Sequence, residues 1–278
     1  MIKRYKPTTP ARRHYTVSDY SILTGEKPFK KLTSSKKRSV GRSKGRITVR
    51  HKGGGSKKLH REIIFGEQKK GVPGIIKTIE YDPYRSAFIS LVSYKDGDWR
   101  YILSPHSLKV GDKIICDEKT SFKKGNRLQL KNIPVGSLVH NIEIRVGAGG
   151  RLAKSAGSSA QIITQDKKYT HLKMPSSEIR KILDVCYASI GQLSNVEHGM
   201  VSIGKAGRAR HMGRRPKVRG TAMNPVDHPY GGGEGKTQRG TKRPKSIYGK
   251  VTGGVKTRKK QKYSNKFIIK KRKKKRKK

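Results

Sequence analysis

Positive charge in this 278-residue chain is concentrated in its two terminal regions. The net charge is +50, of which residues 1–61 contribute +17 and residues 200–278 contribute +26, while residues 62–199 contribute +7. Terminal regions this basic repel themselves unless a dense polyanion neutralises them. Nucleic acid is the polyanion that the pattern favours, because lysine and arginine displace the counterions condensed on its phosphates. The middle region has nearly ordinary charge and can fold around a core.

Cysteine usage and hydropathy limit the other classes of protein. The two cysteines, Cys116 and Cys186, form no C-x-x-C pair, which argues against a zinc ribbon and favours free thiols in a reducing compartment. No apolar run reaches the roughly 18 residues of a membrane span. Neither terminal region shows the bulky apolar face of a membrane-surface helix. We therefore expect no membrane partner and no metal site.

The terminal regions have the composition of extended arms. Residues 1–61 are rich in Lys, Arg, Ser, Thr and Gly, and residues 200–278 are rich in Gly, Arg and Lys. Neither region keeps a helix or strand period for long. We predict a basic N-terminal extension and a basic C-terminal extension, each of which becomes ordered on its partner. The final Lys/Arg run adds affinity with little specificity.

Short β-rich runs separated by turn residues fill the middle region, and no long helix is indicated. Strands are predicted at Gly74–Tyr81, Ser86–Tyr94, Trp99–Leu103, Lys113–Cys116, Leu138–Val146, Ala160–Thr164, Tyr169–Met174 and around residues 179–185. Within the fifth of these, alternation predicts one half-buried strand with Leu138, Ile142, Ile144 and Val146 on a single face beside His140. The pattern as a whole predicts two consecutive small β-barrels, at residues 62–124 and 125–199.

Arginines cluster among the glycines and prolines of the C-terminal region. Five of them fall within 12 positions without an acidic residue between them: Arg208, Arg210, Arg214, Arg215 and Arg219. A guanidinium group matches phosphate geometry and stacks on bases, so RNA contact is favoured over a solvated charged loop. Arg85 and Lys154 lie on predicted loops of the middle region, where spacing alone leaves RNA contact and ordinary surface charge equally open.

Two motifs suggest enzymatic alternatives. Residues 228–237 end in Gly-Lys-Thr like a phosphate-binding loop, but Tyr230 stands where that loop requires its first glycine. A glycine loop whose backbone approaches RNA closely is favoured instead. The adjacent Asp227 and His228 have the chemistry of an acid–base pair, yet no nucleophile is identifiable nearby. We expect His228 to contact RNA and predict no catalytic residues.

A set of motifs together resembles a known family. Residues 220–235 read GTAMNPVDHPYGGGEG, and they follow Arg12-Arg13-His14, residues 45–55, Tyr81-Asp82-Pro83 and residues 132–137 in the family's order. From about residue 3 to about residue 270, the chain resembles the ribosomal large-subunit protein two family, bacterial type. The Asn224–His228 stretch is the most specific part of this likeness.

The resemblance implies a mainly β protein with an OB-fold barrel, then an SH3-like barrel, and long irregular basic extensions. It implies a structural constituent of the large ribosomal subunit near the peptidyl-transferase region, supporting subunit association and tRNA placement, while the reaction belongs to the rRNA. The implied partners are large-subunit rRNA, neighbouring ribosomal proteins and, at the subunit interface, small-subunit rRNA. No small-molecule substrate or cofactor is implied beyond Mg ions bound to the RNA. The implied location is a ribosome of the cytoplasm, and an organellar ribosome is also compatible.

The resemblance also assigns individual residues. Arg85 matches the arginine after the Tyr-Asp-Pro turn that the family uses for rRNA, and Lys154 stands at a second such position that is usually arginine. Lysine keeps the charge there but loses the two-pronged hydrogen bonding of a guanidinium. Tyr230 replaces a histidine common in the family, and it can stack but carries no positive charge. The full set predicted to bind rRNA is Arg12, Arg13, Arg50, His51, Lys52, Arg85, Lys154, Arg208, Arg210, Arg214, Arg215, Arg219, Asn224, His228, Tyr230 and Lys236.

Two other functions remain as alternatives. A free nucleic-acid chaperone or DNA-packaging protein would share the charge but would not need the specific segment at residues 220–235. An RNA-modifying enzyme would need a cofactor loop, a metal cluster or a nucleophile pair, and the sequence shows none of these.

Overall fold

The computed structural model describes residues 2–25, 27–36, 40–235, 239–254 and 256–272. Helices in these ranges are short: α1 is Pro10–Arg13, α2 is Ala206–His211, and single 3-10 turns span Lys30–Leu32, Leu130–Asn132, Val196–Met200, Gly220–Ala222 and Tyr263–Phe267. Within the same ranges, no helix combines the length and the apolar character that crossing a membrane requires.

The remaining regular structure is β. The strands in chain order are β1 Ile2–Arg4, β2 Thr16–Ser18, β3 Thr33–Ser35, β4 Arg42–Ser43, β5 Arg46–Ile47, β6 Leu59–Arg61, β7 Gly74–Glu80, β8 Ile89–Tyr94, β9 Trp99–Leu103, β10 Lys113–Ile114, β11 Arg127–Gln129, β12 Leu138–His140, β13 Ile142–Glu143, β14 Gly150–Leu152, β15 Ala160–Gln165, β16 Tyr169–Lys173, β17 Ile179–Leu183, β18 Tyr187–Ile190 and β19 Ile268–Lys270. The mainly β architecture predicted from the sequence is confirmed.

The chain divides into two compact units, each assembled from segments that are distant in sequence. The first unit comprises Met1–Arg38, Lys57–Lys205 and Lys266–Lys278, and the second comprises Ser39–Ser56 and Ala206–Asn265. Most of the regular structure lies in the first unit.

An antiparallel four-stranded sheet in the order β10-β7-β8-β9 forms the first half of the first unit. The predicted hairpin of β8 and β9 is confirmed, with Ser93 paired to Trp99 across its turn. Apolar side chains of these strands form the core, among them Ile76, Val92 and Ile89. Burial alternates along the start of β7, but β8 is buried on both faces, with Val92 in one apolar cluster and Ile89 in the other.

The N-terminal region contributes more to this core than its composition indicates. Leu32 is buried, and the ring of Phe29 stacks on that of Trp99 with 5.5 Å between ring centroids. The backbone N–H of Phe29 also donates to the hydroxyl of Tyr101, which in turn donates to Glu80. Phe29 and Leu32 are isolated apolar residues in a polar segment, so no periodic pattern predicts their burial. The tertiary contacts alone show that this part of the predicted extension is anchored to the sheet.

A seven-stranded sheet in the order β11-β18-β12-β15-β16-β17-β19 forms the second half of the first unit. Its core contains Leu128, Val139, Ile162 and Leu172, all essentially inaccessible to solvent. The predicted hairpin of β15 and β16 is confirmed. Strand β19 from the C-terminal region pairs with β17 and forms one edge of the sheet, so the tail returns to the sheet there.

The prediction of one alternating strand over Leu138–Val146 is wrong. The segment divides into β12 and β13, because Asn141 adopts a left-handed conformation (φ 49°) and the β13–β14 register shifts between Ile142 and Glu143. Ile142 is buried as expected, but Leu138, Ile144 and Val146 are exposed, and Val139 of the opposite predicted face is buried. Glu143 takes the interior position instead, where its carboxylate accepts the backbone N–H groups of Gly149 and Tyr187 at 3.0 and 3.1 Å. A buried carboxylate is tolerated when hydrogen bonds satisfy it.

Neither cysteine forms a disulfide. Burial raises the pKa of Cys186 to about 12 and that of the half-buried Cys116 to about 11. Both thiols are therefore protonated at neutral pH and lack the thiolate that reactive cysteines present.

Candidate nucleic-acid interface

A tight turn after β7 positions Arg85. The buried carboxylate of Asp82 accepts the backbone N–H of Tyr84 at 2.8 Å and the Nη1 of Arg85 at 2.5 Å. Pro83 presets the backbone of the turn, and an aspartate before it commonly accepts an N–H two residues on. The Arg85 side chain is 20% exposed, so it reaches the surface while the buried carboxylate of Asp82 holds it in place.

The ring of Phe65 brings Arg85 and Lys154 together. The guanidinium carbon of Arg85 lies 5.4 Å from the ring centroid, and the Nζ of Lys154 lies 4.2 Å from it. Both distances are within the range of a cation–π contact. Burial, followed by the positive charges of Arg151 and Arg85, lowers the pKa of Lys154. These crowded cations repel one another, and an incoming phosphate would relieve that repulsion.

A second group of aromatic and basic side chains surrounds the same turn. The Nζ of Lys58 lies 5.9 Å from the centroid of the Tyr84 ring and donates to the carbonyl of Pro83 at 3.3 Å. The His60 ring meets Tyr84 edge to face at 5.5 Å. Burial, with Lys36 and Arg85 nearby, lowers the pKa of His60, so the imidazole is neutral near pH 7.

The second unit joins the two basic motifs of the terminal regions. Lys52 forms an antiparallel bridge with Arg214, and the N–H of Arg215 donates to the carbonyl of His51 at 3.1 Å. Arg50, Lys52, Arg214 and Arg215 are all exposed. Sequence analysis predicted each motif to bind RNA, and the structure makes them parts of one basic surface.

A compact turn holds the Asn224–His228 motif. The carbonyl of Asn224 accepts the N–H groups of Asp227 and His228 at 3.0 and 3.2 Å. The Nδ1 of His228 accepts the N–H of Tyr230 at 3.1 Å, and the two rings lie 4.8 Å apart. Tyr230 in turn accepts the N–H of Lys245 through its hydroxyl. His228 is half-buried, and its ring supports the turn through Nδ1.

Two protein-family models match the chain. Residues 29–116 match the Ribosomal Proteins L2, RNA binding N-terminal domain, and residues 123–249 match the Ribosomal Proteins L2, C-terminal domain. The chain belongs to the ribosomal protein L2 family. Family membership confirms the resemblance found in the sequence, and with it the OB-fold barrel followed by an SH3-like barrel. This L2 protein is therefore an RNA-binding protein of the large ribosomal subunit, and its RNA partner is rRNA within the ribosome.

The predicted site residues of this L2 protein fall into three groups. Arg12 and Arg13 lie exposed in α1, outside both matched ranges. Arg85 and Lys154 meet at Phe65, although one lies in each matched domain. The other described members lie in the second unit: Arg50, His51, Lys52, Arg208, Arg210, Arg214, Arg215, Arg219, Asn224, His228 and Tyr230. Lys236 lies outside the described residues.

Sequence reasoning missed several residues that shape this surface of the L2 protein. Phe65 is the shared ring beneath Arg85 and Lys154, while Lys58 and His60 pack against Tyr84. The available signal was the basic stretch at residues 57–61, which is followed closely by Phe65. The described residues contain no cluster of three or more His, Cys, Asp or Glu side chains placed to hold a metal ion.

Proposed function

We propose that this L2 protein is a primary rRNA-binding protein near the peptidyl-transferase region, where it supports subunit association and tRNA placement. The observation that carries the proposal is the convergence of Arg85 and Lys154 on Phe65. That cluster joins two cations to an aromatic ring, which suits the phosphates and bases of folded RNA. In this role the protein acts as a scaffold and catalyses no reaction.

The pairing inside the second unit supports a role for both terminal regions. Residues 51–56 hydrogen-bond to residues 211–215, so two basic segments present their charge on one surface. We assign the predicted site residues to rRNA contact on this basis. The proposed organisation is a basic extension at 1–61, an OB-fold barrel at 62–124, an SH3-like barrel at 125–199 and a basic extension at 200–278.

The proposed partners extend beyond the principal rRNA. They include neighbouring ribosomal proteins and, at the subunit interface, small-subunit rRNA. The proposed location is a cytoplasmic ribosome, which agrees with two unpaired thiols.

A salt titration with the full chain and large-subunit rRNA fragments tests the proposal. The logarithm of the association constant should fall linearly with the logarithm of salt concentration, because each neutralised phosphate releases counterions. Excess duplex DNA of equal length should compete poorly with the rRNA fragment. Salt-independent affinity, or equal competition by DNA, would contradict the proposal.

Sedimentation of cell lysate separates this function from the DNA-packaging alternative. An L2 protein in this role co-migrates with large ribosomal subunits and is released from them by high salt. Association with the nucleoid in place of the ribosome would favour the alternative.

A further inference from the structure

Two tyrosines face each other at the N-terminus because of strand register. Strands β1 and β2 are antiparallel, with Arg4 paired to Thr16 as the last pair. Tyr5 follows Arg4, and Tyr15 precedes Thr16. Because the strands are antiparallel, these two tyrosines come next to each other just beyond the last pair. Their ring centroids are 5.1 Å apart with an interplanar angle of 49°. Both rings are half-buried, so each keeps accessible aromatic surface.

A segment from far along the chain closes one side of this aromatic pair. The N–H of Thr16 donates to the carbonyl of Ser202 at 3.2 Å, and the N–H of Ser202 donates to the hydroxyl of Thr16 at 2.7 Å. Gly204 has φ +74° and lies so close that a Cβ there would be 2.8 Å from the Cα of Tyr15. Only glycine fits this approach, which places Lys205 beside the tyrosines.

These residues enclose an open cleft. Its volume is about 320 Å³, and its lining consists of Tyr5, Thr9, Ala11, Arg12, Tyr15 and Lys205. This volume is at the lower end of the range for small-molecule sites, which is roughly 300–1,000 Å³. The Arg12 guanidinium lies over the Tyr5 ring at 5.8 Å. Two aromatic rings and two cations line the cleft, and no carboxylate does.

We propose that this cleft binds a single unpaired nucleotide of the RNA, with the base against the tyrosine rings and a phosphate near Arg12 and Lys205. The inference rests on the proposed RNA-binding function and deepens it by naming the form of RNA recognised. Every base has a π face that stacks on an aromatic side chain, but paired bases within a helix have none free. A site for phosphate alone would need the cations and not the rings.

Two hairpin RNAs of equal length and charge test the inference with the full-length chain. One carries a bulged 5-iodouridine, which photo-crosslinks efficiently to stacked aromatic side chains, and the other carries an abasic residue at the bulge. We expect a crosslink at Tyr5 or Tyr15 and an affinity for the first hairpin about fivefold or more above the second. Tyr5→Leu and Tyr15→Leu should abolish that preference, while Tyr5→Phe keeps it. Tyr248→Leu, which alters an exposed tyrosine of the second unit, should also leave it intact.

The outcomes separate the two proposals. If the wild-type chain binds both hairpins equally and crosslinks elsewhere, the nucleotide site is wrong while the RNA-binding function stands. A preference that survives both leucine variants also overturns the site. If the wild-type chain binds neither hairpin nor any rRNA fragment, the proposed function fails and this site with it. Circular dichroism of each variant shows whether the strand pairing persists, and the position of the crosslink on the wild-type chain still tests the site if the leucine variants unfold.

Discussion

Arg85 and Lys154 lie against the same aromatic ring, that of Phe65, yet their electrostatic partners differ. Arg85 is paired at 2.5 Å with the carboxylate of Asp82, which is fully buried. Lys154 has no carboxylate partner in the part of the chain that the structure describes. The two cations should therefore respond differently to substitution, even if both contact RNA.

Arg85→Ala should destabilise the fold as well as weaken RNA binding. Removing the guanidinium leaves the buried charge of Asp82 uncompensated, and breaking a buried pair in this way costs about 3–5 kcal/mol. Urea unfolding measures the loss. The control is Arg100→Ala, whose partner Asp98 is largely exposed and whose pair contributes no more than about 1 kcal/mol. Equal stability of the two variants would contradict a structural role for the Arg85–Asp82 pair.

Lys154→Met should weaken binding of the rRNA fragment while leaving the free energy of unfolding unchanged or slightly higher. The substitution keeps the apolar stem and removes a desolvated charge that repels Arg151 and Arg85. Fluorescence anisotropy and urea unfolding give the two readouts. Lys119→Met removes the same charge at an exposed position and serves as the control. If both variants lose the same affinity, the Phe65 cluster contributes only general charge.

Substitutions at His228 can separate its two ring nitrogens. Asn places a polar atom near Nδ1, so His228→Asn should preserve the hydrogen bond from Tyr230 and lose any contact made by Nε2. His228→Gln should do the reverse. Hydrogen exchange at the Tyr230 amide reports the turn, and rRNA-fragment affinity reports the contact. Weaker binding by the Asn variant with a protected Tyr230 amide is the expected result. Full affinity in that variant would restrict His228 to a structural role.

Gly231→Ala should disturb the Asn224–His228 turn. A Cβ at this position would lie 2.2 Å from the carbonyl oxygen of Asn224, so the backbone must shift. We expect reduced rRNA affinity with an unchanged melting temperature of the barrels, since the turn lies in the second unit. A Cβ at Gly199 meets nothing within 4 Å, so Gly199→Ala is the matched control. Unaltered binding by Gly231→Ala would show that the geometry of the turn is unimportant.

Acid should destabilise the protein through His140. Burial, with a smaller contribution from the nearby charge of Arg127, lowers its pKa from 6.5 to about 4, and its Nδ1–H donates to the carbonyl of Gly191 at 2.9 Å. Because the unfolded chain binds the proton more readily, stability falls as pH decreases from about 6.5 to 4, by up to about 3 kcal/mol.

Urea unfolding across this pH window measures the effect. His140→Gln stays neutral and retains a donor for Gly191, so its stability should depend less on pH than that of the wild type. The exposed His106→Gln variant should follow the wild-type profile. Identical profiles for wild type and His140→Gln would mean that His140 titrates normally.

Local patterns predicted the strands that follow a simple period. Alternation and the Asp96-Gly97-Asp98 turn located the β8–β9 hairpin, and the Gln165–Lys168 turn located the β15–β16 hairpin. The same reasoning failed at Asn141, where a left-handed residue interrupts the alternation. Side chains alternate between the two faces of a strand only while the strand is uninterrupted. After the break at Asn141, Ile144 and Val146 are therefore exposed to solvent and Glu143 is buried.

Composition and motifs in the sequence alone determined that this chain is a basic, mainly β member of the L2 family, because charge and short-range hydrophobic period are properties of neighbouring residues. Tertiary structure decided which distant residues act together: Phe65 with Arg85 and Lys154, residues 51–56 with residues 211–215, and Tyr5 with Tyr15 and Lys205. The physical reason is that these contacts depend on strand register and on where distant segments pack against the sheets. Both are set by the packing of whole sheets, so the residues adjacent in sequence carry no pattern that predicts them.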